Sequence, residues 1–261
     1  MMDLGLKGKV ALVAASSKGL GFGVAQALAR EGARVSMCSR SALDIQAAAT
    51  RLTDETGAET LGIACDLSQA ESIKAWIDET VTRWGVVDAL LVNNGGPPAG
   101  LFMDIDDAKW QAAFELTLMS SVRMIRSAVP YMTNGGAILT ITSSSVQEPI
   151  ERLVLSTVMR SGVVGLVKTL ADELAGSRIR VNNLVPGRLD TERVEQIDTA
   201  TAKRLNVSVE DARAMSIAKI PLGRYGKAEE LGAAAAFLLS PVAEFITGAT
   251  LRIDGGMIRS I

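Results

Sequence analysis

Short apolar segments alternate with helical segments along almost the whole of this 261-residue chain. Seven of the apolar segments are typical of buried parallel strands, at residues 10–15, 34–39, 61–65, 89–92, 137–142, 179–185 and 249–253. Apolar residues recur at helical spacing between them, at residues 20–32, 42–56, 68–84, 108–132, 153–175 and 229–239. Because strands joined through helices make right-handed crossovers, the alternation predicts an α/β fold with a doubly wound parallel sheet and helices on both faces.

One segment interrupts this alternation. Residues 188–225 form a polar connection that is longer than most connections in compact domains. Such a connection is typical of a lid or a substrate loop, or else of a surface excursion. No repeat or linker divides the chain, so we expect a single domain over residues 1–261. Ser68 and Glu71 have the spacing of a capping box, which predicts the start of the third helix there.

The charge balance limits the possible partners. The formal net charge is −2, which provides no basic footprint for a nucleic acid or an anionic membrane surface. The apolar segments at residues 1–9 and 231–243 are too short for a signal peptide and a membrane span, respectively. We therefore expect a cytoplasmic protein without nucleic-acid or membrane partners.

The residue types limit the possible chemistry. The chain contains no histidine, which excludes histidine-based triads and histidine-ligated metal sites. Cys38 and Cys65 have no zinc-binding spacing, and we interpret both as small core residues at the ends of buried strands. No metal is therefore expected. Acid–base chemistry would have to come from Tyr, Lys, Asp, Glu, Ser or water.

A glycine-rich turn, Ser17-Lys18-Gly19-Leu20-Gly21, joins the first predicted strand to the first helix. A sharp turn of this kind needs residues without bulk, and the backbone N–H groups at the following helix N-terminus can bind a pyrophosphate. In this position the turn predicts a Rossmann-type dinucleotide site.

Further residues at the carboxyl ends of strands fit a nucleotide. Arg40 follows the second strand, where the 2′ position of a bound ribose would lie, and a cation there favours a 2′-phosphate. Lys18 could supply a second cation, although both could be ordinary surface charges. Asp66 ends the third strand and could accept from an adenine amino group. The Asn93-Asn94-Gly95-Gly96 block ends the fourth strand and allows a close backbone approach.

Several motifs resemble those of the short-chain dehydrogenase/reductase family, near its acyl-carrier-protein reductase branch. They are the Asn93–Gly96 block, the strand-six motif at residues 181–187, and the C-terminal signature at residues 246–248 and 254–256. The likeness covers essentially the whole chain. One departure is Ala14-Ala15, where the family has Thr-Gly; alanine there would cost little as long as its φ stays negative.

With Lys18 and Arg40, the turn predicts NADP(H) as the cofactor, and the resemblance assigns roles to individual residues. The phosphates would be lined by Ser17, Lys18, Gly19, Leu20 and Gly21, the 2′-phosphate by Arg40, the adenine by Asp66 and Leu67, the ribose by Asn93 and Gly95, and the nicotinamide end by Pro186, Gly187, Leu189 and Thr191. It also implies a homotetramer, or a homodimer, assembled through the helices at 108–132 and 153–175 and the last strand.

The catalytic positions depart from the family, which uses Asn, Ser, Tyr and Lys. Residues 160–171 fix the register, which places Arg160 at the Lys position and Ser156 at the Tyr position. Thr117 falls at the Asn position, and only Ser143 keeps the family's residue type. Neither tyrosine of the chain lies between Ser143 and Arg160.

These replacements change the expected proton chemistry. Arginine does not give up its proton, and a serine hydroxyl is a far weaker acid than a phenol. The loss of a general acid typically lowers a rate by about 10²–10⁴. Arg160 could instead hold the nicotinamide ribose or an anionic substrate, because its guanidinium binds carboxylate and phosphate at two points. Glu148 or Glu151 could neutralise it, and one of them could act as the acid.

Three functions remain open at this point. The first is an NADP(H)-dependent oxidoreductase that acts on a carbonyl or alcohol, in which Ser143 binds the substrate oxygen, Arg160 fixes cofactor or substrate, and Ser156 or water relays the proton. The second is a binding or regulatory protein that keeps the cofactor fold without efficient catalysis. The third is a lyase or isomerase on the same fold. In each case residues 188–225 would shape the pocket, with Arg193 and Met215 as candidate contacts.

Overall fold

The computed structural model describes residues 3–260, which form a seven-stranded sheet in the order β3-β2-β1-β4-β5-β6-β7. Each strand runs parallel to its neighbours. The strands are β1 Val10–Val13, β2 Arg34–Ser39, β3 Thr60–Ala64, β4 Ala89–Val92, β5 Gly136–Ile141, β6 Ile179–Pro186 and β7 Thr250–Ile253. The strand order reverses between β1 and β4, where doubly wound sheets bind ligands. The predicted fold class is confirmed.

Helices cover both faces of this sheet. They are α1 Gly19–Arg30, α2 Ala42–Thr56, α3 Ala70–Trp84, α4 Asp107–Ala113, α5 Ser120–Ala128, α6 Val154–Glu173, α7 Glu192–Leu205, α8 Val209–Ile217 and α9 Ala228–Leu239. Apolar side chains of α1, α2 and α9 form one core cluster, and those of α3, α5 and α6 form another. Successive strand residues alternate between the two: Val13 joins the first cluster, while Leu12 joins the second.

Helix α6 carries two of the predicted site residues and is strongly apolar. It is the one helix within residues 3–260 whose length and mean hydropathy, 1.3, would suit a membrane span. Its Val167 and Ala171 are buried in the second core cluster. An apolar helix of this kind is typical of the interior of an α/β protein.

The predicted capping box is wrong. Helix α3 begins at Ala70, and its N-cap residue, Gln69, makes no capping bond through its side chain. The backbone N–H and the hydroxyl of Ser68 both donate to Asp66 Oδ1, at 2.9 and 2.8 Å. The carboxylate therefore engages Ser68 in a local turn that competes with capping.

The helix predicted at 108–132 is divided. A π-helical turn, Phe114–Met119, separates α4 from α5, and a 3₁₀ turn, Val129–Tyr131, ends the segment. The hydroxyls of Ser120 and Ser121 donate to the carbonyls of Leu116 and Thr117, at 2.5 and 2.8 Å. Such bonds occupy carbonyls that a regular helix would share with backbone N–H groups. The wider turn brings the Thr117 carbonyl into the site described below.

The predicted connection at 188–225 contains two helices, α7 and α8, that the polar composition concealed. Ser208 caps α8 by accepting from the N–H of Asp211 at 3.0 Å. The Tyr225 hydroxyl donates to both oxygens of the buried Asp198 carboxylate, at 3.0 and 2.9 Å. This tyrosine therefore anchors α7, and its hydroxyl is committed to a structural contact.

Candidate active site

The glycine-rich turn leaves no room for a side chain at its last residue. A Cβ on Gly21 would lie 2.3 Å from the carbonyl oxygen of Ala15 and 2.9 Å from Ser16 Cα. Gly19 has a φ of +62°, which favours glycine. Lys18 is the N-cap of α1, and no side chain within residues 3–260 caps this end. The first N–H groups of α1 are thus available to an anion.

Ala15 corrects the expectation that its φ stays negative. Its φ is +49°, in the left-handed region that non-glycine residues rarely adopt. Asn93 holds this conformation, because its side-chain amide donates to the carbonyls of Ala14 and Ala15, both at 3.3 Å. Asn93, which follows β4, therefore stabilises the conformation of the turn.

Replacement of Ala15 by glycine is expected to stabilise the protein by about 0.5–1 kcal/mol, since a left-handed alanine costs about 1–2 kcal/mol and the added glycine entropy offsets part of the gain. Thermal unfolding should show a rise of roughly 1–4 °C. Ala14→Gly is the matched control, because Ala14 is fully buried and has no positive φ. A fall in stability for Ala15→Gly equal to that of Ala14→Gly would show that the left-handed backbone carries no strain.

The residues expected at the adenine and 2′-phosphate differ in how many of their side-chain atoms are free to contact a ligand. Arg40 is exposed and has no ion-pair partner within the described residues. Hydrogen bonds from Ser68, followed by the charge of Arg40, lower the pKa of Asp66, and only Oδ2 of that carboxylate is free of Ser68. The Leu67 side chain is buried in the core, so any contact with adenine would be through its backbone.

Lys18 is not a free second cation. Its ammonium pairs with the carboxylate of Glu192 at the start of α7, and the hydrogen bond to Glu192 raises the pKa of Lys18. Both side chains are exposed, so the pair contributes little to stability. The pair instead fixes the position of the start of α7 relative to the turn after β1.

Arg160 lies at the centre of the site. Its guanidinium donates to the carbonyl of Ile141 at 2.8 Å and to Oδ1 of Asn94 at 3.3 Å. Asn94 in turn donates to the carbonyl of Thr117 and to Ser120 Oγ, both at 3.3 Å. This chain of contacts connects the ends of β4 and β5 to the π-helical turn and to α6.

Burial, followed by the charge of Arg193, lowers the pKa of Arg160 to about 10. The guanidinium is still charged at neutral pH and cannot pass a proton there. Glu151, which the sequence suggested as a neutralising group, pairs instead with Arg204 at 3.3 Å. Glu148 is exposed and forms no ion pair with Arg160.

The remaining predicted catalytic residues are Ser143, Ser156 and Thr117, whose hydroxyls are far weaker acids than a phenol. Ser156 lies one helical turn before Arg160, and both are buried on the same side of α6. Ser143 lies two residues after β5, and its Oγ accepts from the N–H of Ser145 at 3.2 Å. Thr117 contributes its carbonyl, whereas its buried hydroxyl, like that of Ser145, has no hydrogen-bond partner within the described residues.

The residues expected at the nicotinamide end follow β6. A Cβ on Gly187 would lie 2.7 Å from Asp254 Cα, so this position needs glycine. Leu189 is buried, and Thr191 Oγ1 donates to its carbonyl at 3.3 Å. A Cβ on Gly19 would be 3.9 Å from the Thr191 methyl group, so this end meets the glycine-rich turn. Pro186 ends β6, and Gly95 has open space around it.

These observations fit a dinucleotide with a 2′-phosphate. The turn is shaped by a glycine that admits no Cβ, the helix end is uncapped, and Arg40 is exposed beyond β2. Within residues 3–260, no cluster of three or more metal-ligating side chains occurs. The turn and the exposed Arg40 therefore suit a nucleotide cofactor.

Two residues gain importance that the sequence did not give them. Asn94 belongs to the quoted Asn93–Gly96 block, but its contacts with Arg160 and Thr117 depend on the π-helical turn. Arg193 was only a candidate contact, and its guanidinium lies 3.6 Å from where a Cβ on Gly96 would be. Met215, the other candidate, is half exposed on α8. Helix α7 brings Arg193 to the site, and that helix was not predicted.

Comparison with known proteins agrees with this geometry. A family model described as enoyl-(acyl carrier protein) reductase matches residues 14–258. The chain is 30% identical to tropinone reductase-like 3 of Erythroxylum coca, over 98% of this chain and 95% of the relative. It is 31% identical to a 3-oxoacyl-acyl-carrier-protein reductase of Escherichia coli, over 97% and 99%.

The same family is found among solved structures. L-sorbose reductase from Gluconobacter frateurii, crystallised with NADPH and L-sorbose, superposes with a TM-score of 0.95, at 30% identity and with full coverage of both chains. A further NADPH-dependent reductase, involved in bacilysin biosynthesis, superposes with a TM-score of 0.93 at 26% identity. This chain belongs to the short-chain dehydrogenase/reductase family.

Proposed function

We propose that the chain is an NADP(H)-dependent oxidoreductase that acts on a carbonyl or alcohol substrate, with Ser156 and Arg160 in place of the family's Tyr and Lys. The observation that carries the proposal is the combination of the glycine-rich turn with an exposed, unpaired Arg40 just after the adjacent strand β2. The named NADPH-dependent relatives support the choice of cofactor.

The chain's own residues would hold the cofactor at both ends. The free N–H groups at the start of α1 would bind the pyrophosphate, and Arg40 would bind the 2′-phosphate as a charge-assisted pair. Gly187 and Thr191 would border the nicotinamide. When bound, NADPH supplies the hydride. Placing it beside the substrate is a matter of orientation, which the missing Tyr and Lys do not affect directly.

The negative charge that develops on the reacting oxygen would be stabilised by a cation and a hydrogen bond, without a side chain of phenol acidity. Ser143 would donate a hydrogen bond to that oxygen, and Arg160 would stabilise the negative charge that develops on it. Ser156 or a water molecule would relay the proton. The buried position of Ser156 and Arg160 on one side of α6 supports this division of roles.

Arg40→Gln is expected to weaken NADPH binding by about 10–100-fold, because it removes one charge-assisted contact worth about 1.5–3 kcal/mol. NADH lacks the 2′-phosphate, so its affinity should change little. Titration of both cofactors against intrinsic tryptophan fluorescence measures this. The control is Arg126→Gln, which removes another exposed arginine, on α5. An equal loss for NADH and NADPH would contradict the assigned role of Arg40.

The proposed function is tested by combining binding with turnover. The purified protein should bind NADPH more tightly than NADH and should oxidise NADPH in the presence of some member of a panel of ketones, aldehydes and β-ketoacyl thioesters. Hydride transfer is followed at the nicotinamide absorbance. Tight NADPH binding without turnover of any panel member would favour the second function, a catalytically impaired NADP(H)-binding regulatory or structural protein.

That second function is favoured by one observation. Arg160 donates to a backbone carbonyl and to Asn94, so part of its hydrogen-bonding capacity already serves the fold. A site that had lost catalysis could keep such an arginine for structure alone. The two functions differ in turnover and not in cofactor affinity, which makes the panel assay decisive.

We also propose that the protein assembles as a homotetramer, or as a homodimer, in the cytoplasm. Exposed apolar side chains support the assembly: Val158 lies on α6, Leu251 on β7, and Phe245 lies just before β7. Analytical ultracentrifugation of the purified chain should give a mass two or four times the 27.5 kDa of one chain. A monomer at micromolar concentration would overturn the proposal.

A further inference from the structure

Arg160 is a buried charge without a counter-charge. The residue is buried, with a relative exposure of 7%, and its two acceptors, Ile141 O and Asn94 Oδ1, are both neutral. No carboxylate within residues 3–260 lies within ion-pair distance of it. Burying an unpaired charge is costly, so a protein keeps one where a ligand supplies the opposite charge.

A second cation approaches the same place from α7. The guanidinium of Arg193 lies against Gly96, just after β4, and its charge acts on Arg160. Arg193 is exposed and has no ion pair within the described part of the chain. Two like charges held near each other repel, and this repulsion is relieved when an anion binds between them.

The acidic residues around this pair are engaged elsewhere. Glu192, next to Arg193, pairs with Lys18. Asp190 forms a two-point pair with Arg213, at 3.1 and 2.8 Å. Glu151 pairs with Arg204. These three carboxylates are therefore paired with other cations and not with Arg160 or Arg193.

The residues expected to bind the cofactor phosphates follow other strands than the one that Arg160 contacts. Arg160 is fixed to Ile141, at the end of β5, whereas the glycine-rich turn follows β1 and Arg40 follows β2. Strands in a sheet are about 4.8 Å apart, so two strand spacings separate β5 from β1 and three separate it from β2, about 10 and 14 Å. We therefore look for the opposite charge in the substrate and not in the cofactor phosphates.

Building on the proposed function, we propose that the substrate carries an anionic group, a carboxylate or a phosphate, which binds between Arg160 and Arg193. The planar guanidinium of Arg160 offers its remaining N–H donors to such a group, and Arg193 closes over it from α7. The substrate is thus an acidic carbonyl compound or the corresponding hydroxy acid or phosphate.

The test compares pairs of probes that differ only in charge. The NADP⁺-loaded protein is titrated calorimetrically with 2-oxobutanoate, 3-oxobutanoate and 4-oxopentanoate, each against its amide, and with hydroxyacetone phosphate against hydroxyacetone. We expect at least one anion to bind about tenfold or more tightly than its neutral partner, the fold-change of one charge-assisted contact. The probe that shows the preference identifies the anionic group as a phosphate or a carboxylate and, for a carboxylate, gives its distance in carbon atoms from the carbonyl.

Arg193→Gln should remove this preference and leave the Kd for NADPH unchanged, whereas Arg193→Lys should retain part of it. Arg204→Gln is the matched control, since Arg204 lies on the same helix and pairs with Glu151. Equal binding of anions and neutral partners, no binding of any probe, or an unchanged preference in Arg193→Gln would each overturn the proposal. None of these results affects NADPH binding, so failure of the proposed cofactor function would be seen separately.

Discussion

Gly21→Ala is expected to weaken NADPH binding by at least 100-fold. The added Cβ would lie 2.3 Å from the carbonyl oxygen of Ala15, a distance that no side-chain rotation can relieve because the contact is with backbone. Either α1 or the residue before the turn must move, and the N–H groups at the helix end then lose their alignment with the pyrophosphate. Fluorescence titration with NADPH measures the loss, which corresponds to about 2.7 kcal/mol or more.

The same substitution should lower thermal stability by several degrees, since overpacking typically costs about 1–3 kcal/mol. Gly165→Ala is the matched control: Gly165 also lies in a helix without positive φ, and its added Cβ would meet no atom within 4 Å. That variant should be neutral or slightly stabilised, with unchanged NADPH affinity. Normal NADPH binding by Gly21→Ala would mean that the turn does not hold the phosphates.

The fold could be predicted because its strongest signals are local. The bounds of β2, α2 and β4 coincide with the predicted segments, and α2 shows why: Ser41 caps its start and Gly57, with a φ of +72°, ends it. Helix α7 was missed, because its buried positions are few and it is polar elsewhere. Its place in the fold depends on Tyr225 and Asp198, which are 27 residues apart.

The sequence predicted individual residues of the site, but it did not predict the contacts between them. The motif spacing put Ser156 and Arg160 on one side of a helix, and the structure places both there, buried. The sequence could not predict that Asn94 would connect Arg160 to Thr117, because that contact needs a π-helical turn. It also could not predict the left-handed backbone of Ala15, which is held by Asn93 from another strand.

The double replacement Ser156→Tyr with Arg160→Lys is expected to raise kcat for ketone reduction by about 10² or more, because it supplies the proton donor that the wild-type site lacks. The two positions are one helical turn apart on the buried side of α6, so the introduced ammonium and phenol would lie close together. A nearby cation lowers the pKa of a phenol and makes it a better acid. Reduction by this variant should then fall as pH rises through the pKa of the phenol, since only the protonated form donates, whereas the wild-type rate should show no such fall.

The matched control is Ser156→Phe with Arg160→Lys, which adds the same ring without the hydroxyl. If packing of the larger ring disturbs α6, both double variants should lose NADPH affinity and stability together, and thermal unfolding will show it. If both remain folded and bind NADPH, the difference in kcat between them isolates the proton donor. A phenol variant no faster than its phenyl control would mean that proton transfer does not limit the reaction, and that the charge of Arg160 at the reacting oxygen already does the work assigned elsewhere in the family to tyrosine.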